Sequence, residues 1–107
     1  MIRSDLKMPK GKMAVQVTHA SLLAYKKANK NIRNKWEMEG CKKVVLKVAD
    51  LNELLYIYKM AKDLKLPVSL VEDSALTFFK KPTKTCVGIG PEEEEKIDKV
   101  TGRLKML

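Results

Sequence analysis

The chain has 107 residues, 45% hydrophobic and 33% charged, with five Gly and four Pro, the proportions of a chain that buries a core rather than one that stays disordered. No run approaches the roughly 18 apolar residues of a membrane span, and the start lacks the charged-then-apolar layout of a signal peptide; the expectation is one cytoplasmic domain over residues 1–107 with no membrane partner. Twenty-two Lys and Arg against thirteen Asp and Glu leave a net charge of +9, so a polyanion is the expected partner.

The first segment, MIRS, reads as a strand only four residues long, where a buried strand normally needs about five or six. A helix is expected over about 10–30, after the Pro9-Lys10-Gly11-Lys12 turn. At about 100° per residue, Met13, Val17, Ala20 and Ala24 form its core stripe. Lys12, Gln16 and His19 form a second stripe roughly 100° away, so one edge of the helix carries an ammonium, an amide and the chain's single imidazole. Residues 31–41 are expected to end in a short helix stopping at Gly40, with Trp36 as a packing residue. KKVVLKV (42–48) reads as a β-branched strand. Asp50 and Glu53 make a capping-box pattern that opens a helix over 51–64, with Leu54, Leu55, Tyr58 and Ala61 on its buried side.

VSLV (68–71) follows Pro67 as a short strand, then a polar loop from Glu72, then TKTCVGIG (83–90) as a further strand. The last helix is expected from Pro91, with Glu92 to Glu95 where the helix dipole is positive, ending at Thr101-Gly102 before a tail, RLKML. Strands alternating with helices in this way predict an α/β/α three-layer sandwich on a mixed, mainly parallel four-stranded sheet.

Cys41 and Cys86 form no C-x-x-C and, with one His, make no usual zinc set, so free buried thiols and no metal are expected. One Trp, three Tyr and two Phe are scattered rather than grouped, which argues against a platform for stacking single-stranded bases. A surface that reads the backbone of a folded nucleic acid fits the charge better. Ligands of open α/β sheets bind beyond the carboxyl ends of the strands. The turn at 9–12 follows the first strand and the loop from Asp73 follows the third, so Asp73 and Thr77 should face the stripe carrying Lys12 and His19.

At these residues the sequence resembles, in order and spacing, the peptidyl-tRNA hydrolase family of archaea and eukaryotes. The resemblance is carried by DLKMPKGKMAVQVTHASL, WEMEGCKKVVLKV, LPVSLVEDSALT, CVGIGPEEEEKIDKVTG and the RLKML end, and extends over nearly the whole chain. It implies helices on both faces of a mixed four-stranded sheet, a homodimer, and hydrolysis of the ester joining a peptide to the terminal ribose of tRNA. No metal or organic cofactor is implied, and the nucleic acid is RNA rather than DNA. Two departures stand out. Family members have a longer apolar first strand, so the chain looks clipped at its start. The loop usually written D-A-G-x-T-Q reads Asp73-Ser74-Ala75-Leu76-Thr77-Phe78 here, which leaves a non-catalytic tRNA-binding relative as the alternative.

Carried over by position, the family's functional residues fall on Lys12, Gln16, His19, Asp73 and Thr77, with Lys10 and Gly11 in the preceding turn. Ester hydrolysis needs an activated water, a stabilised oxyanion and a proton for the leaving oxygen. Lys12 with the helix-start N–H groups is expected to bind negative charge. His19 is expected to activate water, Asp73 to orient it or share its proton, and Thr77 to hold the water or the ester, with either His19 or Asp73 able to serve as base. Without a nucleophile-elbow motif, direct attack by water is expected. Lys10 and Gln16 are expected to bind or position substrate, and Lys7, Lys26, Lys27, Lys30, Arg33, Lys80, Lys81 and Lys84 to offer contacts to tRNA phosphates.

Overall fold

The computed structural model describes residues 1–74 and 78–107. Four helices and five strands follow in the order β1 (Ile2–Arg3), α1 (Lys10–Lys27), α2 (Lys30–Met38), β2 (Leu46–Val48), α3 (Leu51–Asp63), β3 (Val68–Asp73), β4 (Thr83–Ile89), α4 (Glu94–Thr101) and β5 (Lys105–Met106). The α/β class and the helix-covered mixed sheet are as the sequence led us to expect. The sheet has five strands rather than four, in the order β3-β4-β1-β2-β5. Its pairing also differs from a mainly parallel sheet. Only β1 and β2 pair in parallel, while β4 runs antiparallel to both β1 and β3, and β5 antiparallel to β2. Strands β1, β2 and β3 nevertheless point the same way, so their carboxyl ends share one rim.

Local chemistry explains the boundaries. The helix expected to continue to residue 30 stops at Lys27, because the Asn29 side chain accepts hydrogen bonds from the Asn31 and Ile32 N–H groups and starts α2 afresh. The capping box forms with its return arm displaced by one residue: Asp50 accepts from the Glu53 N–H at 2.9 Å, and Glu53 accepts from the N–H of Ala49, just before the cap, at 2.9 Å. The last helix begins at Glu94 rather than Pro91, and the 42–48 run contributes only Leu46–Val48 to the sheet. The tail is a strand, its Lys105 opposite Lys47 and its Met106 opposite Leu46.

Two apolar clusters lie on opposite faces of the sheet. One joins Val48, Val68 and Val87 to Leu54, Ile57 and Ala61 of α3 and Val100 of α4. Ile57 takes a central place there, whereas Leu55 and Tyr58, expected on the buried side, are half-buried. The other joins Ile2, Val71 and Cys86 to Met8 and Ala20, with Met13 and Val17 of the expected core stripe only partly covered. Cys86 is buried as expected, but Cys41 is partly exposed. Trp36 packs against Tyr25 with ring centroids 6.0 Å apart and donates from its indole to the Lys42 carbonyl at 2.9 Å. Helix α1 lies against β3 and β4 so closely that a Cβ placed on Gly88 would sit 2.2 Å from the Ala20 carbonyl oxygen. Only glycine permits that approach.

Candidate active site at the carboxyl rim of the sheet

The chain brings Lys12, from the first turn of α1, to Asp73, the last residue of β3. Lys12 Nζ donates to Asp73 Oδ2 at 2.5 Å, with the two side chains only 19% and 10% exposed. The shared rim is what makes this meeting possible, since the loop after β1 and the end of β3 open in the same direction. Gln16 Nε2 donates to the same Asp73 oxygen at 3.4 Å. The carboxylate therefore faces an ammonium and an amide where little water reaches to screen them, so its charge is held by position rather than by solvent.

The sequence places Gln16 on one stripe with Lys12 and His19 and says nothing of its depth. It is buried, 3% exposed, one turn below Ala20 on the side of α1 that meets the sheet. An amide can occupy such a position only if its polar atoms are satisfied. The structure meets that need from β4, where the Thr85 hydroxyl donates to Gln16 Oε1. This fixes the amide so that its N–H side faces Asp73.

Thr85 is a residue that sequence reasoning missed, and the reason lies in the strand pairing. Val71 is paired with Cys86, but Glu72 with Lys84, so Thr85 is the extra residue of a β-bulge. A regular strand would send Thr85 and Cys86 to opposite faces. The bulge lets Cys86 pack with Ala20 while its neighbour Thr85 reaches Gln16 on the same helix. Phe79 was missed too: its ring lies beneath Lys12, with Nζ 5.9 Å from the centroid, and meets Phe78 edge-on at 5.0 Å.

His19 lies one turn beyond Gln16 on α1, is exposed, and makes no hydrogen bond to a described residue. Lys7, Lys10, Gly11, Lys80 and Lys81 are likewise exposed, and a Cβ on Gly11 would meet nothing within 4 Å. Thr77 lies outside the described residues. Pro9 precedes α1 and no side chain caps the helix, so its positive end is not neutralised by a capping carboxylate. Burial pushes the Cys86 thiol above its ordinary pKa, which makes it a poor nucleophile at neutral pH. Among the described residues, no three His, Cys, Asp or Glu side chains come together as a metal site would require. None of the helices there is long and apolar enough to cross a membrane.

The sequence model of the family described as peptidyl-tRNA hydrolase PTH2 matches residues 1–107. The chain belongs to that family. It is 49% identical over 107 residues to the peptidyl-tRNA hydrolase of Methanothermobacter thermautotrophicus, covering 100% of this chain and 96% of the relative. Against the protein of the same name in Methanococcus maripaludis it is 52% identical over 110 residues, covering 100% and 95%. For Thermoplasma acidophilum the figures are 43% over 109 residues, covering 99% and 93%. Family membership gives the Lys12–Asp73 rim a chemistry to be judged against, namely hydrolysis of an ester at the end of a large RNA polyanion.

Proposed function

We propose that this chain, as one domain over residues 1–107, hydrolyses the ester between a peptide and the terminal ribose of tRNA. The observation that carries the reading is the Lys12–Asp73 contact, which joins residues far apart in sequence at the rim where such folds bind ligands. In this mechanism water attacks the ester carbonyl directly. His19 takes a proton from the attacking water as the new C–O bond forms. Lys12 and the uncapped start of α1 stabilise the oxyanion. Asp73, held by Lys12 and by Gln16, orients the water. Collapse of the tetrahedral intermediate breaks the bond to the ribose oxygen, which takes the proton from the imidazolium. Thr77 holds the ester end. Gln16 acts as a positioning residue within this set, and Thr85 acts through it. Lys7, Lys10 and Gly11 on one side, and Lys80 and Lys81 on the other, meet the substrate's phosphates.

The same reading places the work in the cytoplasm and in a homodimer. Val15 and Leu22, one i, i+7 row on α1 that is about half exposed, support a protein partner on that helix; light scattering would report the dimer.

The deciding experiment follows release of free tRNA from an N-blocked aminoacyl-tRNA, with the unblocked ester as control, for the parent, His19→Ala and Asp73→Asn. Selective hydrolysis of the blocked ester, cut by about 10²–10⁴ in His19→Ala, is the expected result. A parent that binds tRNA without cleaving the ester overturns the enzymatic reading. If Asp73→Asn loses the acidic limb of the pH profile, where rate rises as the base gives up its proton, while His19→Ala keeps it, the base is Asp73 and the two roles exchange.

A further inference from the structure

A second basic feature lies on the same rim, away from Lys12. At the carboxyl ends of β1 and β2, a cleft of about 250 Å³ is lined by Ser4, Lys47, Glu53, Arg103 and Lys105. Its cations are arranged in a way the fold does not require. Lys47 on β2 is the direct cross-strand partner of Lys105 on β5, and like charges directly opposite one another destabilise a sheet. Both oxygens of the one carboxylate in the cleft are already used within the protein. Glu53 Oε1 accepts from the Ala49 N–H at 2.9 Å, and Oε2 pairs with Arg103 at 3.6 Å. Among the described residues, neither Lys47 nor Lys105 forms an ion pair. The cleft thus concentrates positive charge where an anion would relieve it.

The larger lysine-lined groove of the molecule, with Lys27, Lys62 and Lys65, does not make the same case. Lys27 and Lys62 close the last turns of α1 and α3, where the helix dipole is negative and favours cations. Lys27 also donates to the Val68 carbonyl at 3.0 Å. Lys27 and Lys62 are accounted for by the fold, whereas the Lys47–Lys105 pair is not.

We propose that the Lys47–Lys105 cleft seats a phosphate of the substrate's RNA strand. The proposal rests on the tRNA reading above and specifies where the strand runs. From β3 to β2 is three strand spacings, roughly 14 Å, too far for these lysines to act on the ester but within reach of the strand that carries it. The cleft supplies affinity and register, and the chemistry stays with the Lys12–Asp73 rim.

The test measures binding of fluorescent deacylated tRNA between 50 and 200 mM salt, so it does not depend on turnover. For Lys47→Gln/Lys105→Gln, the slope of log K against log salt should be shallower than the parent's by about 0.7 to 0.9, the loss of one phosphate contact. Lys47→Arg/Lys105→Arg should restore it. A charge-matched control, Lys59→Gln/Lys99→Gln, removes two exposed lysines from α3 and α4 and should change the slope by less than half as much. If the double variant fails to fold, Lys105→Gln alone should flatten the slope by about half of that, and by more than Lys99→Gln alone. An unchanged slope in the cleft variants, or an equal drop in the control, overturns the proposal. A parent that binds tRNA through this cleft yet leaves the ester intact supports the cleft while overturning the hydrolytic reading.

Discussion

Three side chains at regular helical spacing along α1 have unlike fates. Lys12 and Gln16 are locked to Asp73, and Gln16 also to Thr85 across the sheet, all four little exposed or buried. His19, one turn further along, is exposed and without a hydrogen bond among the described residues. Spacing establishes that three groups lie along one edge of a helix. Their depth depends on what lies opposite: Lys12 and Gln16 face the end of β3 and the bulge of β4, and His19 faces solvent. The contrast suits a hydrolase in which charge is fixed in advance while a base remains open to the incoming substrate.

The severest way to break this contrast is to lift α1 off the sheet. Gly88→Val places atoms where the Ala20 carbonyl already stands, and should cost about 3 kcal/mol, read as a fall in the urea midpoint. It should remove the inner cluster and the outer imidazole together. A fold as stable as the parent would mean that the helix can shift without loss.

A narrower cut separates the two. Thr85→Val keeps the shape of the side chain but removes the hydroxyl, leaving Gln16 Oε1 buried without its donor. The expected cost is about 1–2 kcal/mol. With the amide free to turn over, kcat should fall about tenfold and KM little, while Thr85→Ser recovers most of both. Equal losses in the serine variant would show that packing matters there and the hydrogen bond does not.

The smallest effect belongs to an ion pair whose carboxylate, on Asp5, is open to solvent, a control for the enclosed one. Arg3 donates to Asp5 at 2.7 Å and 3.0 Å, and these hydrogen bonds hold the Asp5 carboxyl below its usual pKa. A carboxylate depressed in the folded state stabilises the protein above its unfolded pKa and loses that contribution as pH falls through the folded one. Asp5→Asn should therefore cost a few tenths of a kcal/mol at pH 7, and the difference from the parent should vanish in melts well below pH 4. A difference that persists in acid would point to packing instead of charge.

The fold was legible wherever local chemistry decides it. The capping box at Asp50 and Glu53 and the β-branched stretches follow from neighbours in sequence. Hidden were the features that depend on distant pairing. RLKML has no strand pattern of its own and becomes β5 only because β2 offers an edge. The place of β4 between β1 and β3 follows from no local signal. In the site, Lys12 and Asp73 could be named from their loops, whereas the burial of Gln16 could not. A polar residue is buried only when a partner waits for it, and Thr85 is turned inward by a bulge that appears in no periodicity.

The place of β4 also sets when the site can exist. The strand carrying Asp73 joins the sheet only through β4, and β4 in turn pairs with Ile2 at the opposite end of the chain. A nascent chain lacking residues 83–89 therefore has Lys12 and Asp73 but no strand to join β3 to the rest of the sheet, and long-range pairing of this kind closes late. While it is being made, this protein is itself a peptide esterified to tRNA, the bond it is built to cut. Its strand order withholds the cutting geometry until nearly all of the chain has been synthesised.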